Sequence, residues 1–242
     1  MGNMGHTDKP LGRKAYGSIP HLPNSRLGPG DHYIHPGQQT ILTAKARDRH
    51  DRIIVTEKLD GSNVAVARIQ GKIVALARSG YLAQSSPYEH LQHFAVWVRR
   101  NEDRFADLPD GQRLNGEWVS MAHGTIYEPT PPLFTPFDLM HGEARFPHDE
   151  MVEVARACGL EPAHVISDGP PLSIEAAMAA VASGGAYGAK DGVEGCVWRC
   201  ERQGTFDFIA KFVRHDKQDG KYFAQITGQE PIWFWRPESE AA

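Results

Sequence analysis

The stretch "RIIVTEKLDGSNVAVARIQGKIVALARSG", Arg52 to Gly80, decides how the rest of the chain is read. It opens on the run Ile53-Ile54-Val55-Thr56, whose β-branched side chains suit a strand. The exit of that run carries Glu57, Lys58 and Asp60, followed by Gly61-Ser62-Asn63. Two further β-prone runs then flank Gln70-Gly71, which reads as a hairpin closed by a tight turn. Taken alone, the charged exit is a surface turn, because Asp-Gly is ordinary turn chemistry. The sharper reading is a lysine nucleophile held at a strand end, within reach of a nucleotide phosphate. The flanking sequence has to choose between them.

Working outward, "PYEHLQHFAVWVRRNEDRF" spaces Leu91, Phe94, Ala95 and Val98 as one face of a helix. The segments "QRLNGEWVSM" and "PLFTPFDLM" read as two more strands. Helices are expected at about 149–158, stopped by Gly159, and at about 173–182, with Ser173 as N-cap and Gly184 beyond the end. "GVEGCVWRC" and "TFDFIAKFVR" form a last strand pair, turned at Arg202-Gln203-Gly204. Residues 1–43 are rich in Gly, Pro and His and read as an irregular arm packed on a domain at 44–222, with a tail at 223–242. Hairpins with helices inserted between them imply an α+β fold with mainly antiparallel sheets. No GxGxxG opens a helix and no GxxxxGK[ST] occurs, which excludes a Rossmann site and a P-loop.

The 242 residues, 40% hydrophobic and 23% charged, are ample for a buried core. The chain has no apolar run of membrane-spanning length and no secretory h-region. Met1-Gly2 is followed by His6 where myristoylation requires Ser or Thr. Cys158, Cys196 and Cys200 form no CxxC pair, which fits a reducing cytoplasm and argues against a disulfide framework or a zinc ribbon. A net charge of −4 shows no basic excess of the kind nucleic-acid binders usually carry. The basic surplus is local: residues 1–58 hold nine Lys and Arg against five Asp and Glu.

Lys-x-Asp-Gly is by itself a weak pattern. Here it is followed in order by Arg78-Ser79-Gly80, Asn115-Gly116-Glu117-Trp118, Phe137-Asp138, Glu194-Gly195-Cys196-Val197, and Lys211 within "FIAKFVR". This ordered set resembles the motif series of the covalent nucleotidyltransferase superfamily, which comprises ATP-dependent DNA and RNA ligases and messenger-RNA capping enzymes, and the resemblance runs from roughly Tyr16 to Lys217. "EKLDGSN", "RSG" and "FDL" are most similar to the RNA ligase branch.

The resemblance implies an ATP-grasp-like nucleotidyltransferase domain using ATP and Mg²⁺ (or Mn²⁺). Lys58 would attack the α-phosphorus of ATP and carry AMP, with Lys211 and the metal supplying positive charge. Glu194 would meet the metal through water. Glu117 would accept hydrogen bonds from the ribose, Phe137 would stack on adenine, and Arg78 would hold a phosphate or ribose. Asn63 would serve the nucleotide and the strand joint. Glu57 would help seat the base, largely through its backbone, and Asp60 belongs to the same ATP-binding set. The implied substrate is RNA with nicked or paired ends, joined 5′-phosphate to 3′-hydroxyl, with no membrane partner. Two other readings stay open: adenylyl transfer to another acceptor, and a nucleotide- or RNA-binding protein without turnover.

The chain departs from the pattern at Val213, where the superfamily commonly has a second lysine two positions after the first. Arg214, Lys217 and Lys221 are the nearby cations that could substitute for it. About thirty residues follow Lys211, too few for an OB or helical domain, so a bare nucleotidyltransferase domain is expected. Outside the motifs, His32 and His35 lack an evident third metal ligand, and Cys196 and Cys200 read as small core residues. Trp233, Phe234 and Trp235 read as a docking tail.

Overall fold

The computed structural model describes residues 9–238, so the reading of Met1-Gly2 and His6 lies outside the described residues. Among the described residues, nine strands form two antiparallel sheets. The first has the order β7-β1-β8-β9, where β1 is Asp51–Lys58, β7 Val165–Gly169, β8 Gly195–Arg202 and β9 Thr205–Val213. The second has the order β3-β2-β4-β5-β6, with β2 at Ser62–Ile69, β3 at Lys72–Ala77, β4 at Gln112–Trp118, β5 at Phe134–His141 and β6 at Ala144–Arg145. The α+β architecture expected from the hairpin pattern is the one observed.

Both predicted hairpins close as their turn residues require. Gln70 and Gly71 have φ of 52° and 75°, and Gln203 and Gly204 repeat these values between β8 and β9. Two successive left-handed residues are the signature of the twisted two-residue turn. Strand β7 was not expected. "VISDG" is short and runs into "PPLS", and it becomes a strand by pairing with the edge of β1, Ile53 opposite Gly169.

Each sheet covers one face with helices. Behind the first sheet, Ile53, Val55, Trp198 and Ala210 are fully buried against Leu42 of α1 (Pro36–Thr43) and Ala177 of α4 (Ile174–Ala180). Helix α1 corrects the picture of residues 1–43 as wholly irregular: His35 caps it, its Nδ1 accepting a hydrogen bond from the Gly37 N–H. Helix α4 starts where Ser173 predicts, the hydroxyl accepting from Ala176 N. Behind the second sheet, Val64, Val66, Leu114 and Phe134 pack on Phe94, Trp97 and Val98 of α2 (Glu89–Arg100) and on Met151 and Ala155 of α3 (His148–Ala157). A last short helix, α5, spans Ala224–Thr227. No helix among the described residues is long and apolar enough to cross a membrane.

The connection between β1 and β2 passes from one sheet to the other through only Leu59, Asp60 and Gly61. Gly61 is required there, because a Cβ would lie 2.5 Å from the carbonyl oxygen of Trp118. The crossing therefore delivers the end of β1 to the line where the two sheets meet. The arm is bound to the same region: Lys211 N donates to Pro20 O, Leu22 N to Lys211 O, and Arg26 N to Val213 O, which extends the β9 edge. At the other end of the chain, Phe234 N and Trp235 N donate to Ser120 O, and Trp235 packs edge-on against Trp118 at 5.7 Å. The aromatic tail docks.

Candidate active site

The faces of the sheets that carry no helices line a common cavity of about 610 Å³. Alternation along β1 turns Thr56 and Lys58 into it, while Val55 and Glu57 point to the opposite face. Register sets Val197 of β8 between Thr56 and Lys211 of β9, so these three share one row of the cavity wall. The second sheet contributes Asn63, Glu117, Thr135 and Phe137, with Asn63 and Glu117 directly opposite across β2 and β4. Arg78 and Ser79, after β3, complete the lining on the arm side with Lys14 and Tyr16.

Lys58 ends β1 with its ammonium 2.7 Å from Glu194 Oε2 and 3.3 Å from Leu59 O. Burial lowers its proton affinity, but the carboxylates of Glu194 and Glu117 outweigh burial, so the amine is held above the usual lysine value. In the ligand-free site Lys58 is therefore an ammonium. Glu194 shows the complementary behaviour: burial raises its pKa, and Lys58 and Lys217 overcome that and hold it below the ordinary value. Glu117 is pushed up to about 7, mainly by burial and against the pull of Lys58. Its Oε1 accepts from Gly61 N at 3.0 Å, which ties β4 to the crossing loop.

The remaining cavity residues differ in how they are held. Lys211 is lowered by burial and by Lys58, and among the described residues it has no carboxylate within ion-pair distance. Its charge is thus available to an anion in the cavity. Arg78 is exposed and hydrogen-bonded to Ser18 Oγ at 3.0 Å. Asn63 Oδ1 is buried without a partner among the described residues, a state that costs free energy until a donor arrives. Phe137 is half-buried, its ring edge-on to Tyr16 with centroids 5.3 Å apart. The neighbouring Asp138 anchors this wall by accepting from Tyr16 Oη at 3.0 Å, Arg145 Nε at 2.7 Å and Arg199 at 2.9 Å.

Two residues of the expected ATP-binding set sit differently from the others. Asp60 does not line the cavity: its carboxylate is turned back to the Gly124 N–H at 2.7 Å and to Lys217 Nζ at 3.0 Å. The Glu57 carboxylate lies on the far face of the sheet, accepting from Ala186 N at 2.8 Å, so only its backbone can face a ligand in the cavity. Glu194 is likewise buried behind the lining, reaching the cavity through Lys58.

Sequence reasoning missed the residues that support this arrangement. Tyr16, Arg145 and Arg199 carry no local pattern, and they meet Asp138 only because three separate segments converge. Tyr127 is similar, its hydroxyl accepting from Asp60 N at 2.7 Å. Of the three cations near the departure at Val213, only Lys217 reaches the cluster. Arg214 is committed to Asp216 and the Val193 carbonyl, and Lys221 to Asp191. Among the described residues no three His, Cys, Asp or Glu side chains converge in a way that could hold a metal ion.

The sequence profile of the RNA ligase family matches residues 51–213. Among solved structures, a variant of the Naegleria gruberi RNA ligase with ATP and manganese superposes with a TM-score of 0.53 at 17% identity, over 81% of this chain and 56% of that one. A second variant of the same protein, with AMP and manganese, gives 0.52 at 17% identity over 73% and 53%. An archaeal ATP-dependent RNA ligase gives 0.49 at 23% identity over 68% and 43%. At such identities the Naegleria likeness is one of fold, and the chain spans about half the length of those proteins. No curated protein sequence matches the chain.

Proposed function

The chain belongs to the RNA ligase family, and on that premise we propose that it is an ATP-dependent RNA ligase that forms a covalent lysyl-AMP on Lys58. One observation carries the reading: a lysine ends a strand at the rim of a cavity walled by Glu117, Asn63, Phe137 and Lys211 from two different sheets. A nucleophile, an unpaired cation, a ribose acceptor and an aromatic face thus surround one space of nucleotide size. The Naegleria structures hold ATP or AMP with manganese. By likeness this chain would use ATP with Mg²⁺ or Mn²⁺.

The chemistry follows from the side chains. Lys58 must lose a proton before its amine can attack the α-phosphorus, forming the N–P bond as the bond to pyrophosphate breaks. Lys211 would bind the phosphate oxygens and oppose the charge that develops on them. Phe137 would take one face of the adenine, and the orphaned Asn63 Oδ1 awaits a donor from the nucleotide. The donor set fits a divalent cation that keeps most of its own water, since Glu194 is the carboxylate hydrogen-bonded to Lys58 and, among the described residues, no group of three His, Cys, Asp or Glu side chains is arranged to hold a metal ion by itself. Glu194 would meet it through water, and such a cation would supply positive charge opposing that of the α-phosphate. AMP would then pass to an RNA 5′-phosphate, and attack by a 3′-hydroxyl would seal the ends and release AMP.

The test is intact-protein mass after incubation with ATP and Mg²⁺ or Mn²⁺. One AMP should be added, the adduct should be acid-labile and alkali-stable as a P–N bond is, and Lys58→Ala should abolish it. If folded wild-type protein takes up no AMP with either metal, the reading fails. Labelling without sealing of any RNA end would favour transfer to a different acceptor.

A further inference from the structure

We propose that Lys217, which lies outside the β9 strand and lines no part of the cavity, is a positioning residue for the nucleophile. It would act by fixing the Glu194 carboxylate that holds Lys58. The inference rests on the reading of Lys58 as the site of adenylylation.

A lysine ammonium has three N–H groups and no acceptor. Those of Lys217 face Asp60 Oδ1 at 3.0 Å, Glu194 Oε1 at 2.9 Å and Asp219 Oδ1 at 2.9 Å. The side chain is 8% exposed. With three partners for three donors, nothing is left over for a phosphate, so Lys217 cannot be a substrate-binding cation. Lys211 is the reverse case, lining the cavity with no acid paired to it among the described residues. The two lysines divide the work, one facing the substrate and one facing the protein.

The oxygens of Glu194 are split between two ammoniums, Oε2 to Lys58 at 2.7 Å and Oε1 to Lys217 at 2.9 Å. The terminal torsion of a glutamate is broad, and a carboxylate held at one oxygen can swing. Held at both, its plane is set, and with it the direction from which the Lys58 amine is presented to the cavity. Lys217 also clamps Asp60, two residues after the nucleophile in the loop that crosses between the sheets.

The surrounding backbone is built around this ammonium. Arg214 N donates to Glu194 O, and Lys217 N donates to Arg214 O, so the turn after β9 is tied to the residue that precedes β8. Gly124 packs against the pair from the other side. A Cβ there would lie 2.6 Å from Asp60 Oδ2 and 3.3 Å from Lys217 Cε. Lys217 thus comes from a turn folded back over the site, which makes good the cation that β9 lacks at Val213.

Single-turnover formation of the AMP-protein on wild type, Lys217→Met, Lys217→Arg and the double variant Asp60→Asn/Lys217→Met tests this, with a melting temperature for each. The double variant removes a charge of each sign and keeps the side-chain volumes, so it tests the role if the single variants do not fold. Loss of Lys217 should lower the maximal rate about 100-fold, the scale of a misplaced reacting group. The ATP concentration for half-maximal rate should stay within about threefold, because no substrate contact is lost. Arginine should recover at least about tenfold of the lost rate. A folded variant without the Lys217 charge that reaches the wild-type maximal rate overturns the proposal. So does a loss confined to the ATP requirement, or an arginine variant no better than methionine. Absence of AMP uptake by wild type would instead remove the ligase reading on which the proposal stands.

Discussion

Replacing Phe137 by alanine separates a base-stacking ring from a core ring, because the two roles load different measurements. The ring stands half-buried on the cavity wall, with Tyr16 edge-on to it at 5.3 Å. Such an edge contact contributes about 0.5–1.5 kcal/mol beyond area burial, and a ring facing open cavity adds less packing than one enclosed on all sides. At roughly 2–4 °C per kcal/mol for a chain of this size, Phe137→Ala should lower the melting temperature by about 1–6 °C. If the ring carries adenine, ATP affinity should fall by about 1–3 kcal/mol, which is roughly 5- to 150-fold in Kd. Calorimetric ATP binding in a Lys58→Met background keeps covalent chemistry out of the measurement. Phe137→Leu gives the second arm: it restores most of the stability and little of the affinity, since an aliphatic side chain fills space without a π face. Wild-type ATP binding by both variants, with a stability loss of about 3–5 kcal/mol for the alanine, would make Phe137 a core residue and move the base elsewhere.

Two other predictions follow from the same site. Glu117 has a folded pKa of about 7 against 4.5 in a free side chain, so the folded state binds its proton more tightly. The stability gained by keeping that proton is therefore full below about pH 4.5 and is lost as the pH rises through about 7, a decline of about 3 kcal/mol that Glu117→Gln should abolish. Urea unfolding at pH 5 and pH 8 checks it, and equal pH slopes in the two proteins would refute it. Matched nicked duplexes that differ only in ribose or deoxyribose at the terminal 3′ nucleotides should be sealed with a preference for ribose, read through the 2′-hydroxyl and A-form shape. Equal sealing refutes the RNA preference and leaves adenylylation standing.

What was legible in the sequence was local in origin. The hairpin turns at Gln70-Gly71 and Gln203-Gly204, the Ser173 cap and the α2 face depend on residues within a few positions of one another, and periodicity or turn chemistry reports them directly. Ordered motifs also marked Lys58, Asn63, Arg78, Glu117, Phe137 and Lys211, all of which line one cavity. Strand β7 escaped because a five-residue segment becomes a strand only when the edge of β1 is there to pair with it. Asp60 and Glu57 sit in the motif beside Lys58, yet side-chain direction decides their part: one carboxylate turns back to Lys217 and the other to Ala186 on the far face of the sheet. The sequence by itself determined which side chains can carry nucleotidyl chemistry, since that depends on residue type and order. Only the tertiary structure decided that Lys217, 159 positions from the nucleophile, is the cation buried beside it, because a contact between the ends of three strands far apart in sequence leaves no periodic trace in the chain.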